Sequence, residues 1–225
     1  MQPAVAGHGR TMVMWGPPDE RPHRGAAEEE WTFGWWAPDG SIAGFTWYRL
    51  VGAASAWYGW ALVRAGEPLL HVTEFDIPRR ADPMIAKAQA MWAEYICEAP
   101  FEQWTVGNET YAVALDDPDE ALGRAYGEAT PIASDLEWYA TAPATPIADG
   151  YAQAGVVHGS IELLAGALDL AELMADRTHR WSDRPLAPIG LPVALAHLGP
   201  RAPFRLPNGD VLDLVLCPDG WRTRG

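Results

Sequence analysis

A short segment in the C-terminal third of the chain combines residue types that could bind a ligand or move a proton. Within Thr178-His179-Arg180-Trp181 an imidazole stands two residues before an indole. Side chains of a β-strand alternate between its faces, so His179 and Trp181 would point to the same side. A histidine exchanges protons near neutral pH, and an indole wall would lower its pKa by desolvation. The alternative is a structural lock, with His179 bonded to backbone and neighbouring arginines paired with aspartates.

Two carboxylates offer a second acid or base. Asp135 and Glu137 share one face of a predicted strand, and Trp138 lies on the other. If the acidic face points inward, both carboxylates are general acid/base candidates beside His179. If it points outward, they are solvated charges and Trp138 is the inward group.

Tyr151 and Gln153 form a third pattern, because they also share one strand face. A phenol and an amide suit a polar handle in an apolar pocket, and a satisfied buried polar pair explains them equally well. The acidic run Glu28 to Glu30 is interpreted as a solvated face.

Composition excludes several classes of function. The chain has 225 residues, 48% of them apolar, and a formal net charge of -14 with Lys87 as its only lysine. This charge repels phosphate backbones and anionic lipid, so no nucleic-acid partner is expected. No apolar run approaches the length of a membrane span, so no membrane insertion is expected. We predict an N-terminal arm over 1–30 and a single domain over 31–225.

The cysteines and histidines predict no metal or cofactor. Cys97 and Cys217 lack metal-ligand spacing, and two thiols in a reducing cytosol are favoured over a single disulfide. The six histidines are scattered without ligand spacing, and no nucleotide-binding glycine motif is present. Residues 1–10 lack the pattern of a signal peptide, so a cytoplasmic location is expected.

Regularly spaced turns position these groups on a sheet. Pro38-Asp39-Gly40 and the segment 65–68 separate aromatic-rich strands over 41–50, 54–64 and 69–75, which is typical of a β-meander. Six of the 12 tryptophans fall between 31 and 60. The predicted fold is all-β, an antiparallel barrel or strongly curved sheet of about ten strands with little helix.

Three further segments are assigned a secondary structure from their residue patterns. Residues 84–98 fit a helical stripe or a strand almost equally. Residues 104–113 are predicted to form a hairpin with its turn near Asn108. Residues 151–175 are predicted to form a hairpin that leads directly into the His179 segment.

The order of several motifs resembles a known group. The motifs are Trp35-Trp36-Ala37-Pro38-Asp39-Gly40, Asp135-Leu136-Glu137-Trp138, Tyr151-Ala152-Gln153-Ala154-Gly155, Val157-His158-Gly159-Ser160-Ile161 and His179-Arg180-Trp181. Together they are similar to the lipocalin-like (calycin) group related to AttH, carotenoid 1,2-hydratase (hydroxyneurosporene synthase) and the lipocalin-type Diels–Alderases. The resemblance covers residues 31–185 and implies an extended segment over 84–98.

The resemblance also implies a site, with two departures. The group has a segment of the form G-x-x-x-R-D-H-x-W-G, and here Thr178 stands in place of the acidic residue and Ser182 in place of the glycine. His179 is therefore expected without its acidic neighbour.

We expect the chain to bind a hydrophobic small molecule of terpenoid, steroid or polyketide type, as a carrier or sequestering protein. The alternative is a cofactor-independent hydratase, cyclase or isomerase with His179 as acid/base and Glu137 or Asp135 as the second group. The oligomeric state stays open, a homodimer included. The predicted ligand-binding residues are Trp181, Trp138, Tyr151, Gln153, Trp47, Trp60 and Trp36.

Overall fold

A computed structural model describes residues 15–64, 67–115 and 127–186, and the backbone of 201–205, 211–217 and 220–223. A 3-10 helix, Pro17–Glu20, precedes the sheet. The strands are β1 Glu28–Trp36, β2 Ile42–Val51, β3 Ser55–Arg64, β4 Leu70–Pro78, β5 Ile85–Ala88, β6 Met91–Ala99, β7 Gln103–Leu115, β8 Gly127–Ala140, β9 Thr145–Ile147, β10 Gly150–Leu163, β11 Gly166–Ser182, β12 Arg201–Arg205, β13 Val211–Cys217 and β14 Gly220–Thr223. Within the described ranges no helix is long and apolar enough to cross a membrane.

Antiparallel pairing closes eight of these strands into a ring. The order is β4-β3-β2-β1-β11-β10-β8-β7, and β4 also pairs with β7. The hairpin β5–β6 extends from β7, β9 pairs with β10, and β12 to β14 form a separate three-stranded sheet. With 70% strand and 3% helix, the all-β, barrel-like prediction is confirmed, although the ring is not a regular barrel.

The ring has one short seam, between β4 and β7. Only two residue pairs close it, Leu70 with Ala114 and His71 with Val113. Most of β7 is occupied instead by β6, which pairs along it from Gln103 to Thr110. The ladder bonds at this seam are therefore far fewer than between any other neighbours in the ring.

Large aromatic side chains fill the interior of the ring. Trp31, Trp60 and Trp138 are each at most 1% exposed and belong to one core cluster. Strand alternation explains why, since every second residue of these strands faces inward. Trp35 is buried over Gly44 and Trp138 over Gly155, where a Cβ would overlap the indole rings. Small residues on neighbouring strands thus make room for the tryptophans.

The outer face of β1 to β3 is also covered. Phe45, Trp47 and Arg49 point away from the core cluster, yet each is 7% exposed or less. Burial on both faces explains the almost uninterrupted apolar sequence of β2 and β3.

The structure decides the ambiguous segments. Residues 84–98 form strands, as the resemblance implied, but a turn at 89–90 divides them into the hairpin β5–β6, with Ala86, Ala93 and Tyr95 in the core. The predicted hairpin over 104–113 is wrong, since β7 runs straight through it. Asn108 faces inward there and its side-chain amide donates to the Tyr58 hydroxyl at 2.7 Å, so it packs as a core residue and makes no turn. The hairpin over 151–175 is confirmed as β10 and β11.

His71 at the seam is a buried imidazole on the outer face of β4. It is 4% exposed, and its Nδ1 has no hydrogen-bond partner among the described residues. Burial lowers the pKa of His71 from 6.5 to about 4. Below the unfolded pKa the unfolded chain binds a proton that the native chain does not, so stability falls as the pH drops from 6.5 towards 4.

We predict that replacing His71 flattens this pH dependence. Between pH 7 and 4.5 the wild type should lose up to about 3 kcal/mol more unfolding free energy than His71→Leu, at ~1.4 kcal/mol per tenfold change in proton affinity. Urea titrations at both pH values measure the difference. His158→Leu, at a partly exposed position, serves as the control and should follow the wild type. Parallel pH profiles for wild type and His71→Leu would rule out this role.

Candidate functional site

A buried polar cluster lies at the end of the ring where β1 and β10 begin and β11 ends. We call it the end cluster. Strand register assembles it, because Trp31 pairs with His179, Tyr151 pairs with His179 and Gln153 pairs with Arg177. The 3-10 helix adds Glu20 from outside the sheet. The members of the end cluster are Glu20, His23, Glu29, Tyr151, Gln153, Arg177 and His179.

The first part of the end cluster is an ion pair between Glu20 and Arg177. The guanidinium donates from Nη1 to Glu20 Oε2 at 2.9 Å and from Nη2 to Oε1 at 2.5 Å. Both side chains are 1% exposed. Gln153 Oε1 accepts from Arg177 Nε and Nη2, and the guanidinium carbon lies 4.9 Å from the centre of the Trp138 ring. The charge is thus fully paired inside an aromatic cage, as burial of an ion requires.

The second part is a chain of hydrogen bonds through His179. Its Nε2 lies 2.7 Å from Glu29 Oε1, and its Nδ1 lies 3.1 Å from the Tyr151 hydroxyl. That hydroxyl donates to Glu20 Oε2 at 2.9 Å. The imidazole is fully buried and stacks on Trp31 with ring centres 4.5 Å apart. Burial lowers the pKa of His179, and the hydrogen bond with Glu29 opposes that shift.

Glu29 supplies the acidic partner that position 178 lacks. It reaches His179 from β1, and His23 Nδ1 approaches the same carboxylate oxygen at 2.7 Å. The interpretation of Glu28 to Glu30 as a solvated face is wrong, because the three are 9%, 2% and 0% exposed. Strand alternation could have found Glu29, since it stands two residues before the core residue Trp31.

The neighbouring charges lie on the other face of β1. Glu30 pairs with Arg49 and with Arg180, both at 2.5 Å, and Glu28 pairs with Arg49 at 3.2 Å. The predicted structural lock is therefore only partly right. Arg184 pairs with Asp183 at 3.6 Å as expected, although both side chains are exposed. Arg180 is held instead by Glu30 of the adjacent strand, and His179 bonds to side chains where backbone partners were expected.

Six of the predicted site residues face the interior. His179, Tyr151, Gln153, Trp138 and Trp60 are buried, and Trp181 lies partly exposed at the end cluster. There Trp181 stacks on His23 with ring centres 3.9 Å apart and an interplanar angle of 11°. The structure therefore brings His179, Trp181, Tyr151 and Gln153 together as one site.

The other four face outward. Asp135 and Glu137 are exposed, so of the two orientations left open for this strand the outward one holds, and neither carboxylate lies beside His179. Leu136 and Trp138 occupy the inward positions of β8. Trp36 and Trp47 are on the outer face because their strands alternate with Trp35 and Tyr48 pointing inward. The expectation that Trp36 and Trp47 line an interior cavity is therefore wrong.

A second interior polar chain had no clear sequence signal. The Tyr95 hydroxyl lies 2.6 Å from Thr46 Oγ1, and the Asn108 amide donates to the Tyr58 hydroxyl at 2.7 Å. Ser134 then donates to Asn108. Burial raises the pKa of both tyrosines, so they stay neutral donors and acceptors in the middle of the ring.

A separate groove of about 340 Å³ runs along the outer face of β6 to β8. Its rim carries Glu94, Glu109, Asp135 and Glu162, and Trp92 forms part of its wall. Asp135 thus belongs to an acidic outer groove and is separated from the end cluster by the sheet.

The sequence matches no protein-family model and no curated protein at a significant level. The fold and the site together define an all-β, barrel-like protein with an aromatic interior and one buried ionic end.

We predict that the Glu20–Arg177 pair is required for stability. Glu20→Gln should cost about 3–5 kcal/mol of unfolding free energy, because it leaves a guanidinium buried without its counter-charge. The double variant Glu20→Leu/Arg177→Met should cost less than the sum of the two single changes. Urea denaturation of each variant measures these costs.

The exposed pair Arg64–Glu67, at 3.9 Å, supplies the matched control. Glu67→Gln should cost less than about 1 kcal/mol. A Glu20→Gln cost in that same small range would show that the buried pair does not hold the end cluster.

Proposed function

We propose that this chain binds a hydrophobic small molecule that carries hydrogen-bond acceptors, inside its aromatic ring of strands. The observation that carries the proposal is a set of core tryptophans whose indole N–H groups have no hydrogen-bond partner among the described residues. The five are Trp31, Trp35, Trp60, Trp104 and Trp138.

Five unpartnered donors in one core carry a large cost. An indole N–H can only donate, and leaving a buried donor unsatisfied costs about 1–3 kcal/mol. The total would be comparable to the whole stability of an ordinary domain, about 5–15 kcal/mol. An occupant with carbonyl, hydroxyl or ether oxygens would accept from these donors and recover that energy.

The surroundings favour a neutral and mostly apolar occupant. The donors are set among apolar and aromatic side chains such as Phe33, Leu136 and Val157. The mid-barrel groups are neutral and already have partners, since Tyr95 bonds to Thr46 and Tyr58 accepts from Asn108. A charged occupant would therefore be desolvated with no counter-charge in the middle of the ring. These features suit an oxygenated terpenoid, steroid or polyketide.

Entry requires the packed interior to open. The core tryptophans are 0–1% exposed, so an occupant must displace side chains as it enters. We propose the seam between β4 and β7 as the place of entry, since two residue pairs alone close it. Fewer ladder bonds lower the cost of local opening there relative to the rest of the ring.

The binding role is favoured over acid/base catalysis by the state of His179. Both of its ring nitrogens are hydrogen-bonded and its side chain has no exposed surface. A general acid or base must come within hydrogen-bond reach of a reactant. We also propose that the chain is related to the lipocalin-like group and acts in the cytoplasm as a carrier or sequestering protein.

We predict that the protein distinguishes a steroid ketone from the matching hydrocarbon. The ketone should bind up to about tenfold more tightly, the equivalent of one hydrogen bond worth roughly 0.5–1.5 kcal/mol. Quenching of tryptophan fluorescence, confirmed by native mass spectrometry, measures both affinities. Equal affinities for ketone and hydrocarbon, or no binding of either, would refute the proposal.

Single Trp→Phe variants locate the donor. Phenylalanine keeps the ring and removes the N–H, so at least one of the five core changes should abolish the preference for the ketone. Trp47→Phe is the matched control, because Trp47 lies on the outer face and should leave the preference unchanged. Thermal denaturation of each variant separates lost binding from lost folding.

A further inference from the structure

We propose that His23, Glu29 and His179 form a site for one divalent transition-metal ion of the zinc class. Two imidazoles and a carboxylate converge there, with the candidate ligand atoms all within 4.8 Å of one another. The three residues come from the segment after the 3-10 helix, from β1 and from β11. The fold thus unites ligands whose spacing in the sequence gave no metal motif.

The convergence is on one oxygen. His23 Nδ1 and His179 Nε2 each lie 2.7 Å from Glu29 Oε1. The other oxygen, Oε2, accepts from the backbone N–H of His23 at 2.7 Å. The carboxylate is therefore held in place by one oxygen and presents the other to both imidazoles.

The hydrogen bonds of Tyr151 determine which nitrogen of a neutral His179 carries the proton, and they leave a lone pair pointing at this oxygen. Glu20 is paired with Arg177 and acts as an acceptor, so the single hydroxyl proton of Tyr151 goes to Glu20. The Tyr151 oxygen then accepts from His179 Nδ1–H. A neutral imidazole carries one proton, so Nε2 faces Glu29 with its lone pair. A carboxylate oxygen and an imidazole lone pair this close need a cation between them, and either a proton on Nε2 or a bound metal ion can supply it.

The second imidazole is arranged in the same way. His23 Nε2 lies 3.5 Å from Asp19 Oδ1, so with Nδ1 bound to a metal ion the Nε2–H would face an acidic acceptor. Each imidazole thus has an acidic anchor on its far side, Asp19 directly and Glu20 through Tyr151. Anchoring of the distant ring nitrogen is the usual way in which proteins orient metal-bound histidines.

The ligand set points to the kind of ion. Two imidazole nitrogens and one carboxylate oxygen suit Zn²⁺ and its neighbours Co²⁺, Ni²⁺ and Cu²⁺, whereas Mg²⁺ and Ca²⁺ prefer oxygen ligands alone. Three protein ligands leave one tetrahedral position open. His23 is partly exposed, so the cluster is close to solvent on that side.

The metal site is independent of the proposed binding of an apolar molecule, which depends on the core tryptophans. Either can fail while the other stands, because one is measured with metal and the other with a steroid ketone. With an ion bound, His179 Nε2 is a ligand and cannot serve as a general base. The metal site and the acid/base alternative therefore exclude each other.

The test is titration of the full-length, tag-free and metal-free protein with Co²⁺, followed by Zn²⁺ competition and calorimetry. We expect one equivalent of Co²⁺ with the visible absorption of a tetrahedral site, and displacement by Zn²⁺. His23→Ala and Glu29→Gln should each weaken binding by more than about 100-fold, beyond the loss usual for an outer-shell change. Tyr151→Phe should weaken it by about 10-fold, because it removes only the anchor of His179.

The control variant is His158→Ala, which removes a partly exposed histidine of β10 away from the cluster and should bind like the wild type. Circular dichroism establishes that each variant is folded, and His23→Ala is the least disruptive because its side chain lies at the surface of the cluster. Absence of a stoichiometric Co²⁺ complex would overturn the proposal. So would equal affinities of folded His23→Ala and His158→Ala, which would mean adventitious binding elsewhere.

Discussion

The buried ion pair between Glu20 and Arg177 is the interaction on which the rest of the site depends. It ties the 3-10 helix to β11 across a cage of aromatic rings. Because both charges are out of water, every remaining donor and acceptor around them must be matched. Gln153 and Tyr151 do so, and through Tyr151 the network continues to His179 and Glu29. The orientation of the His179 imidazole is thus set by a charge pair on the far side of a tyrosine.

The aromatic interior imposes a different constraint on the same sheet. Two of the core tryptophans, Trp35 and Trp138, fit inside the ring because neighbouring strands place Gly44 and Gly155 against their indole rings. Indole rings fill space well, but their N–H groups still need acceptors. The two interior polar features differ in this respect. The end cluster is closely paired, whereas the five core tryptophan donors have no partner among the described residues.

These two features support two separate proposals. The proposed oxygenated apolar occupant depends on the core tryptophans, and the proposed metal ion depends on the end cluster beside the 3-10 helix. The seam between β4 and β7 is the proposed place of entry for that occupant, because it is the shortest pairing in the ring and should open locally at the lowest cost. The outer acidic groove is remote from both, because the sheet itself separates Asp135 from the interior.

Local sequence patterns determined the elements of this protein, and the tertiary structure determined their partners. Turn residues and aromatic alternation were enough to predict an all-β sheet and the hairpin that carries His179, because both signals act over a few residues. They were also enough to place Tyr151 with Gln153, and His179 with Trp181, on shared strand faces, whereas the register of β10 with β11 brought the two pairs together. The strand alternation left open which face of β8 is inward, and the structure turned Trp138 inward and Asp135 outward. The acidic partner of His179 was decided by register between β1 and β11, 150 residues apart in the chain. Such pairing depends on how the ring closes, which no local pattern records.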